Sequence, residues 1–361
     1  MAAIRVLIVD DSAIVRDVLS GIIEEQDDME VAGTAPDPFI ARDKVVQLNP
    51  DVVTLDIEMP RMDGLTFLEK LMVYNPLPVI IVSSVTTADP HAAVKALELG
   101  AFDVVNKPGG SISIEDVKFD VVKKIRSAYE ERHNFIDKWK LLGNKKPASA
   151  VSRKYKEQAQ RSVLSEIQTT DKLVAIGAST GGTVALEEIV KELPQNLPPI
   201  LIVQHMPVFF TYQFADRLNE LSRLTIKEAE QDELVIGGTV YIAPGGKHLE
   251  IVRRGANIYT RLHEGDRVNF QRPAVDVLFN SVAAVAGKNA LGILLTGMGK
   301  DGAAGLLAMK QAGAQTIAQD EESSIVWGMP GAAVALGAAQ KIVPLENMPD
   351  MIIRYAQSST L

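Results

Sequence analysis

Short apolar runs alternate with amphipathic stretches along both ends of the chain. In the first 122 residues, Ile4–Val9, Val31–Ala35, Val52–Leu55, Val79–Val82 and Phe102–Val105 have the length and β-branched content of buried strands. Between them, apolar residues recur at helical spacing. Ile14, Val15, Val18, Leu19, Ile22 and Ile23 follow a Ser12 cap, then come Leu65, Leu68, Leu71 and Met72, then Ala93, Val94 and Leu97. Five strands alternating with helices predict a doubly wound parallel sheet. Beyond the last strand, Val117, Val121, Ile125, Ala128, Phe135, Trp139 and Leu142 keep the same spacing, interrupted at Arg132. That predicts a final helix running on into the next segment.

The C-terminal part repeats the alternation at different lengths. Leu173–Ile176 reads as a strand, Val184–Leu193 as a helix, and Ile200–Val203 as a strand ending at Gln204 and His205. Val240–Ala243 runs into a Pro244–Gly245–Gly246 turn. Leu291–Leu295 is a further buried strand ending at Thr296 and Gly297, and Gly302–Ala312 a helix stopped by Gly313. The fold class expected is α/β throughout, with two doubly wound parallel sheets.

Length agrees: 361 residues predict two domains at about 150 residues each. The net charge of −9 argues against a general binder of nucleic acid or anionic membranes. That charge is unevenly spread. Residues 1–122 are net −12, residues 123–161 net +8, and residues 162–361 net −5. A basic stretch between two acidic ones, with Gly143, Pro147 and small polar residues, reads as a linker acting as a solvated tether. The expected division is therefore 1–122, a partly helical linker 123–168, and 169–357. The chain has no Cys, which removes disulfides, thiolate nucleophiles and Cys-based metal sites together. The start of the chain does not read as a signal peptide, and no apolar stretch approaches the ~18 residues of a membrane span. A cytoplasmic protein is expected.

Candidate chemistry collects at strand ends, where open parallel sheets bind ligands. The first strand ends at Asp10 and Asp11, the third at Asp56, the fourth at Ser83 and Ser84, and the fifth at Lys107 and Pro108. Three converging carboxylates repel one another unless a cation joins them, and a hard, oxygen-liganded ion such as Mg²⁺ fits. With the metal, an Asp carboxylate can attack a phosphoryl group, and Lys107 and the Ser83 hydroxyl can hold the added oxygens. The set resembles the receiver domain of two-component response regulators over residues 1 to about 122. The resemblance implies Asp56 as the phosphorylated residue, Asp10, Asp11 and Asp56 as Mg²⁺ ligands, and Ser83 and Lys107 as the switch pair. Val104 stands where many receivers carry an aromatic residue that swings on activation, so that readout is not expected here.

In the second part, Gly177-Ala178-Ser179-Thr180-Gly181-Gly182 joins a strand to a helix and contains G-x-S-x-G. On such a turn a serine hydroxyl is exposed and the helix N-terminus faces a developing oxyanion. Glycine-rich turns also cradle phosphates or are purely structural, so this motif alone leaves catalysis open. The glycines do not fit G-x-G-x-x-G, and no Walker lysine follows. A serine nucleophile needs a base and an orienting acid. Of the five histidines, His205 ends the strand after that of Ser179, and a right-handed crossover puts both at one sheet edge. His248 follows a turn and suits a loop or packing role, His263 lies in a charged stretch, and His91 and His133 belong to the first domain and linker. Asp301, after the strand ending at Thr296, supplies an acid, although an Asp there can equally be a helix N-cap. Widely spaced histidines without H-E-x-x-H disfavour a zinc hydrolase.

The whole chain resembles the CheB type of response regulator, the chemotaxis protein-glutamate methylesterases. The resemblance rests on 175–182, Gln204-His205-Met206-Pro207, 241–248, Arg272-Pro273-Ala274-Val275-Asp276 and 295–302. It implies a Ser179, His205 and Asp301 triad with Thr180 and Met298 lining the site. It further implies no cofactor for the esterase chemistry, and backbone N–H groups near Thr180 and Met298 as oxyanion donors. The implied substrates are γ-glutamyl methyl esters, and particular glutamines, of methyl-accepting chemotaxis receptors. The implied phosphodonor is a chemotaxis histidine kinase. The alternatives are a second domain that binds a protein without catalysis, or a DNA-binding output, for which no helix-turn-helix pattern is present.

Overall fold

The computed structural model describes residues 3–59, 62–84, 92–107, 114–143 and 172–358. Residues 144–168 of the expected linker, with His91 and Pro108, lie outside them. The first sheet comprises β1 (Ile4–Val9), β2 (Met29–Ala35), β3 (Val52–Asp56), β4 (Val79–Ser83) and β5 (Asp103–Asn106) in the order β2-β1-β3-β4-β5. Every pairing is parallel. Helices α1 (Ala13–Glu24), α2 (Pro38–Leu48), α3 (Gly64–Tyr74), α4 (Ala92–Glu98) and α5 (Ile114–Glu130) connect and cover it. Burial on both faces explains the continuous apolar runs: Val53, Leu55, Ile80 and Ile81 are fully buried. Ser12 caps α1 as expected, its side chain accepting from Val15 N–H.

The second sheet has seven parallel strands in the order β14-β13-β12-β6-β7-β9-β8. These are β6 (Leu173–Ala178), β7 (Ile200–Gln204), β8 (Thr225–Glu228), β9 (Thr239–Ile242), β12 (Ala290–Leu294), β13 (Gln315–Gln319) and β14 (Lys341–Val343). An antiparallel ribbon of β10 (His248–Arg254) and β11 (Asn257–His263) stands apart, an addition to the expected architecture. Of the helices, α7 (Gly182–Glu192), α8 (Phe210–Leu221), α9 (Val275–Ala286) and α10 (Ala303–Gln311) matter most for the site. The layers close with α11 (Gly328–Ala335) and α12 (Met348–Gln357). In both sheets the chain reverses its direction of growth once, between β1 and β3 in the first and between β6 and β12 in the second. Each reversal leaves a crevice at the carboxyl ends of the strands.

The expected boundary at residue 122 falls inside α5, which continues to Glu130 with Ile125 and Ala128 buried. After a one-residue break, α6 (Arg132–Gly143) turns back onto the first domain, where Phe135 meets Phe102 edge-on at 5.4 Å. The described part of the basic segment is therefore packed structure, not a solvated tether. Three of its cations are paired: Lys124 with Asp103, Arg126 with Asp28, and Arg132 with Asp51. Lys138 donates to the carbonyls of Glu321 and Ser324 in the second domain. The apolar spacing that predicted a helix also predicts this packing, and the charge count obscured it.

Close approach of β6 to α9 fixes one residue type. A Cβ on Gly177 would meet Val275 Cγ1 at 2.2 Å. Gly177→Ala is therefore expected to destabilise the fold by about 1–3 kcal/mol through overpacking, read as a lowered Tm. An unchanged melting curve would show that α9 yields at no cost.

Candidate functional site

The first crevice gathers the acids read from the sequence. Asp10 and Asp11 follow β1, and Asp56 ends β3. Asp10 and Asp56 are buried while Asp11 is exposed. One oxygen from each lies within 4.8 Å of the others. Lys107 reaches over from the end of β5, its Nζ 3.0 Å from Asp10 Oδ2 and 2.7 Å from Asp56 Oδ2. Burial pushes the Asp56 carboxyl up to about 6 against the pull of Lys107, and raises Asp10 as well. Burial alone would lower the Lys107 ammonium, but Asp56 and Asp10 hold it above its ordinary value. Ser83, buried at the end of β4, accepts Lys107 N–H at its carbonyl, 2.8 Å away. Three carboxylates with one oxygen each so close together form a hard oxygen donor set of the kind a divalent ion such as Mg²⁺ takes.

The second crevice joins Ser179, His205 and Asp301 from the ends of β6, β7 and β12. Ala178 pairs with Gln204 in the β6–β7 register, so Ser179 and His205 are the next residues along adjacent strands. His205 N–H donates to Ala178 O at 3.0 Å, and Gln204 Nε2 to Ser179 O at 2.9 Å. Ser179 N–H in turn donates to Thr296 O, 3.0 Å away at the end of β12. The turn that follows needs Gly181 at φ +77, where an added Cβ would lie 2.7 Å from Ile325. Met298 is half-buried, following Gly297, which lies against Ser179.

His205 Nε2 is 2.8 Å from Asp301 Oδ2. Its other ring nitrogen, Nδ1, is buried and has no hydrogen-bond partner among the described residues. Asp301 does act as a helix cap, but for α9 and not for its own helix. Its Oδ2 accepts from Val275 N–H at 2.7 Å and its Oδ1 from Asp276 N–H at 3.1 Å. Burial would raise this carboxyl, yet His205, Asn269 and the Val275 N–H together hold it below its ordinary value. It is therefore a stable anion beside the imidazole.

The remaining histidines separate. His248 is buried in β10, accepting from Ala274 N–H at Nδ1 and donating from Nε2 to Asp266 O, which is a packing role. His263 Nε2 lies 3.3 Å from Glu250 Oε2, and His133 is exposed. Sequence reasoning missed three residues at the site. Asn269 and Asp276 lie behind Asp301, and Asp103 approaches from the first domain. Asp276 belongs to a motif that was visible, but nothing in its spacing indicated a partner.

Asp103 closes the second crevice. Its Oδ2 accepts the Thr180 hydroxyl at 2.6 Å, while its Oδ1 receives Lys124 Nζ at 2.6 Å. The cavity between Leu97, Phe102, Asp103, Val104 and the Ser179–His205 edge holds only about 10 Å³, room for a single water. Val104 is thus a buried strand residue facing the second domain. Glu98 pairs with Arg217 at 2.7 Å, and Phe119 meets Phe270 at 5.0 Å between ring centres, extending the same contact.

Comparison with known proteins covers both domains. The receiver domain of response regulators matches residues 6–117, and the CheB methylesterase domain residues 174–352. A Syntrophus aciditrophicus protein-glutamate methylesterase/protein-glutamine glutaminase is 50% identical over 98% of this chain and 99% of its own. A Salmonella typhi protein of the same name is 47% identical over 98% and 97%. The Thermotoga maritima CheB methylesterase catalytic domain is 42% identical, with a TM-score of 0.50, covering 51% of this chain and 97% of that one. The two crevices, the order of the domains and the near full-length identity lead to one conclusion: the chain belongs to the CheB family of receiver-linked protein-glutamate methylesterases/protein-glutamine glutaminases.

Proposed function

We propose that the chain hydrolyses γ-glutamyl methyl esters of methyl-accepting chemotaxis receptors to glutamate and methanol, and deamidates receptor glutamines, under control of phosphorylation at Asp56. The observation that carries the reading is the buried His205–Asp301 pair, on the strand next to that of Ser179. Donation from Nε2 to Asp301 fixes the neutral tautomer with Nδ1 as the free base. His205 then takes the Ser179 proton as its oxygen attacks the side-chain carbonyl, and the imidazolium returns that proton to the departing methanol. Water attacks the acyl-serine through the same base, releasing glutamate and restoring the hydroxyl. With glutamine, ammonia leaves in place of methanol. Backbone N–H groups near Thr180 and Met298 are the oxyanion donors in this reading, one such donor contributing ~3 kcal/mol. The esterase chemistry calls on no cofactor.

In the first crevice Asp56 takes the phosphoryl group from a chemotaxis histidine kinase, and Ser83 and Lys107 bind its oxygens. Asp10, Asp11 and Asp56 would hold Mg²⁺, which when bound neutralises carboxylate and phosphoryl charge. With about 10 Å³ beside Ser179 no glutamyl side chain fits, so the arrangement described is the closed one. Phosphorylation shifts the population to an open one. A cytoplasmic location suits a kinase-coupled enzyme acting on receptor cytoplasmic regions, without nucleic acid and without membrane insertion. No helix among the described residues is long and apolar enough to cross a membrane.

Ser179→Ala and His205→Ala are each expected to cut methanol release from methylated receptor by ~10⁴–10⁶. More than about a tenth of wild-type turnover in either would remove the triad. Asp56→Asn should abolish stimulation by a small phosphodonor with Mg²⁺; persisting stimulation would place the phosphoryl group elsewhere. Asp103→Ala, which removes the acceptor of the Thr180 hydroxyl, should raise the unphosphorylated rate about tenfold. A basal rate equal to wild type would show that this contact does not hold the closed form.

A further inference from the structure

Behind the His205–Asp301 pair lies a second buried carboxylate. Asp301 is 2% exposed and Asp276, in the first turn of α9, is 7% exposed. One side chain joins them: Asn269 Nδ2 donates to Asp276 Oδ2 at 2.8 Å and to Asp301 Oδ1 at 3.0 Å. Two ionised carboxylates offer only acceptors, so the amide must turn its two N–H bonds toward them. Without the shared donor, the two like charges would face each other uncompensated at this point. Burial and the Asp301 charge keep Asp276 above its ordinary value, whereas Asp301 stays below its own. Asp301 therefore retains the negative charge that His205 needs.

Backbone geometry delivers Asn269 to this spot. Val268 and Gln271 exchange both backbone hydrogen bonds, at 3.1 and 2.9 Å, around a two-residue turn. Asn269 and Phe270 both sit in the left-handed region, at φ 51 and φ 63, as a type I′ turn requires. Asn suits that position, but Phe does so only at a cost. Phe270 remains 67% exposed at the tip and stacks on Phe119 of the receiver. Strain accepted at a turn beside the site is a reason to look for what the turn holds.

We infer that Asn269 is a positioning residue of the esterase: by donating to both carboxylates it fixes the plane of Asp301, so that Oδ2 stays aligned with His205 Nε2. The inference rests on the reading of Ser179, His205 and Asp301 as the triad. The charged groups facing this position are Asp276 on α9 and Asp301 before α10, with His205 beyond it. His248 on β10 and Lys123 on α5 lie close enough to feel the Asp301 charge, and Arg267 is in the same segment.

Two substitutions compatible with a left-handed backbone test it in the full-length protein, activated with a small phosphodonor and Mg²⁺. Asn269→Gly keeps the turn and removes both donors. It should lower kcat about 10- to 100-fold with KM nearly unchanged, at every pH tested. Asn269→Asp keeps the shape but sets three carboxylates together. Its kcat should fall at least as far above neutral pH and recover as the pH drops, because the introduced carboxyl, once protonated, donates one hydrogen bond. Wild-type kcat in Asn269→Gly, or a loss in Asn269→Asp that is the same at all pH values, overturns the inference. Should Asn269→Asp fail to fold, the kcat and KM of Asn269→Gly decide alone. Ser179→Ala, run in parallel, separates the two readings: an active Ser179→Ala removes the triad itself, whereas an inactive Ser179→Ala beside a fully active Asn269→Gly removes only the role given to Asn269.

Discussion

The catalytic half of the molecule is organised around the Asp301 carboxylate. It accepts five hydrogen bonds, from His205, Asn269 and the N–H groups of Val275, Asp276 and Gly302. These partners come from the end of β7, the 268–271 turn, the start of α9 and the entry to α10. A buried anion without such donors would be neutralised by a proton. Here the donors keep it charged, and the helix N-terminus of α9 adds its own positive end. Because the same oxygen that caps α9 also meets His205, the helix and the imidazole are held in one frame. Their relative placement is set by hydrogen-bond length, not by loop conformation.

The two halves use one architectural rule twice. In each parallel sheet, the chain reverses its direction of growth and leaves a crevice, and the chemistry-bearing residues sit at its rim. In the first, two buried carboxylates meet a lysine beside a third, exposed one; in the second, a histidine meets an aspartate on the strand beside that of a serine. Strand β5 is an edge strand, and its uncovered side rests on the second crevice. Its Lys107 end reaches the Asp10 and Asp56 carboxylates of the first crevice and its Asp103 end touches Thr180, three residue steps, roughly 10 Å, from Asn106.

Much of this was legible in the sequence because it is local. Buried parallel strands are apolar runs, and Asp10, Asp56, Lys107, Ser179 and His205 each sit within two residues of the end of such a run, with Asp301 in the loop after another. The order of the second sheet was not legible, since strand pairing depends on contacts far apart in sequence. The β10–β11 ribbon escaped because its strands are half-exposed and carry alternating charges such as Glu250, Arg253 and Arg261. Asp103 and Asn269 escaped for another reason. Each acts through a side chain reaching a residue 77 or 32 positions away, and nothing in its immediate neighbours records the partner. The basic segment misled over its described part, because its charge suggested solvent while Lys124, Arg126 and Arg132 are paired with acids of the first domain.

The bond between Asp103 and Thr180 has a thermodynamic corollary. Asp103 occupies the ground beside Ser179, so, on the proposed function, substrate and phosphoryl group would favour the same separated arrangement. Linkage makes such effects mutual: the factor by which phosphorylation tightens receptor binding is the factor by which bound receptor favours the phosphorylated receiver. On the proposed function, substrate occupancy and receiver phosphorylation are then two handles on one equilibrium between closed and separated arrangements.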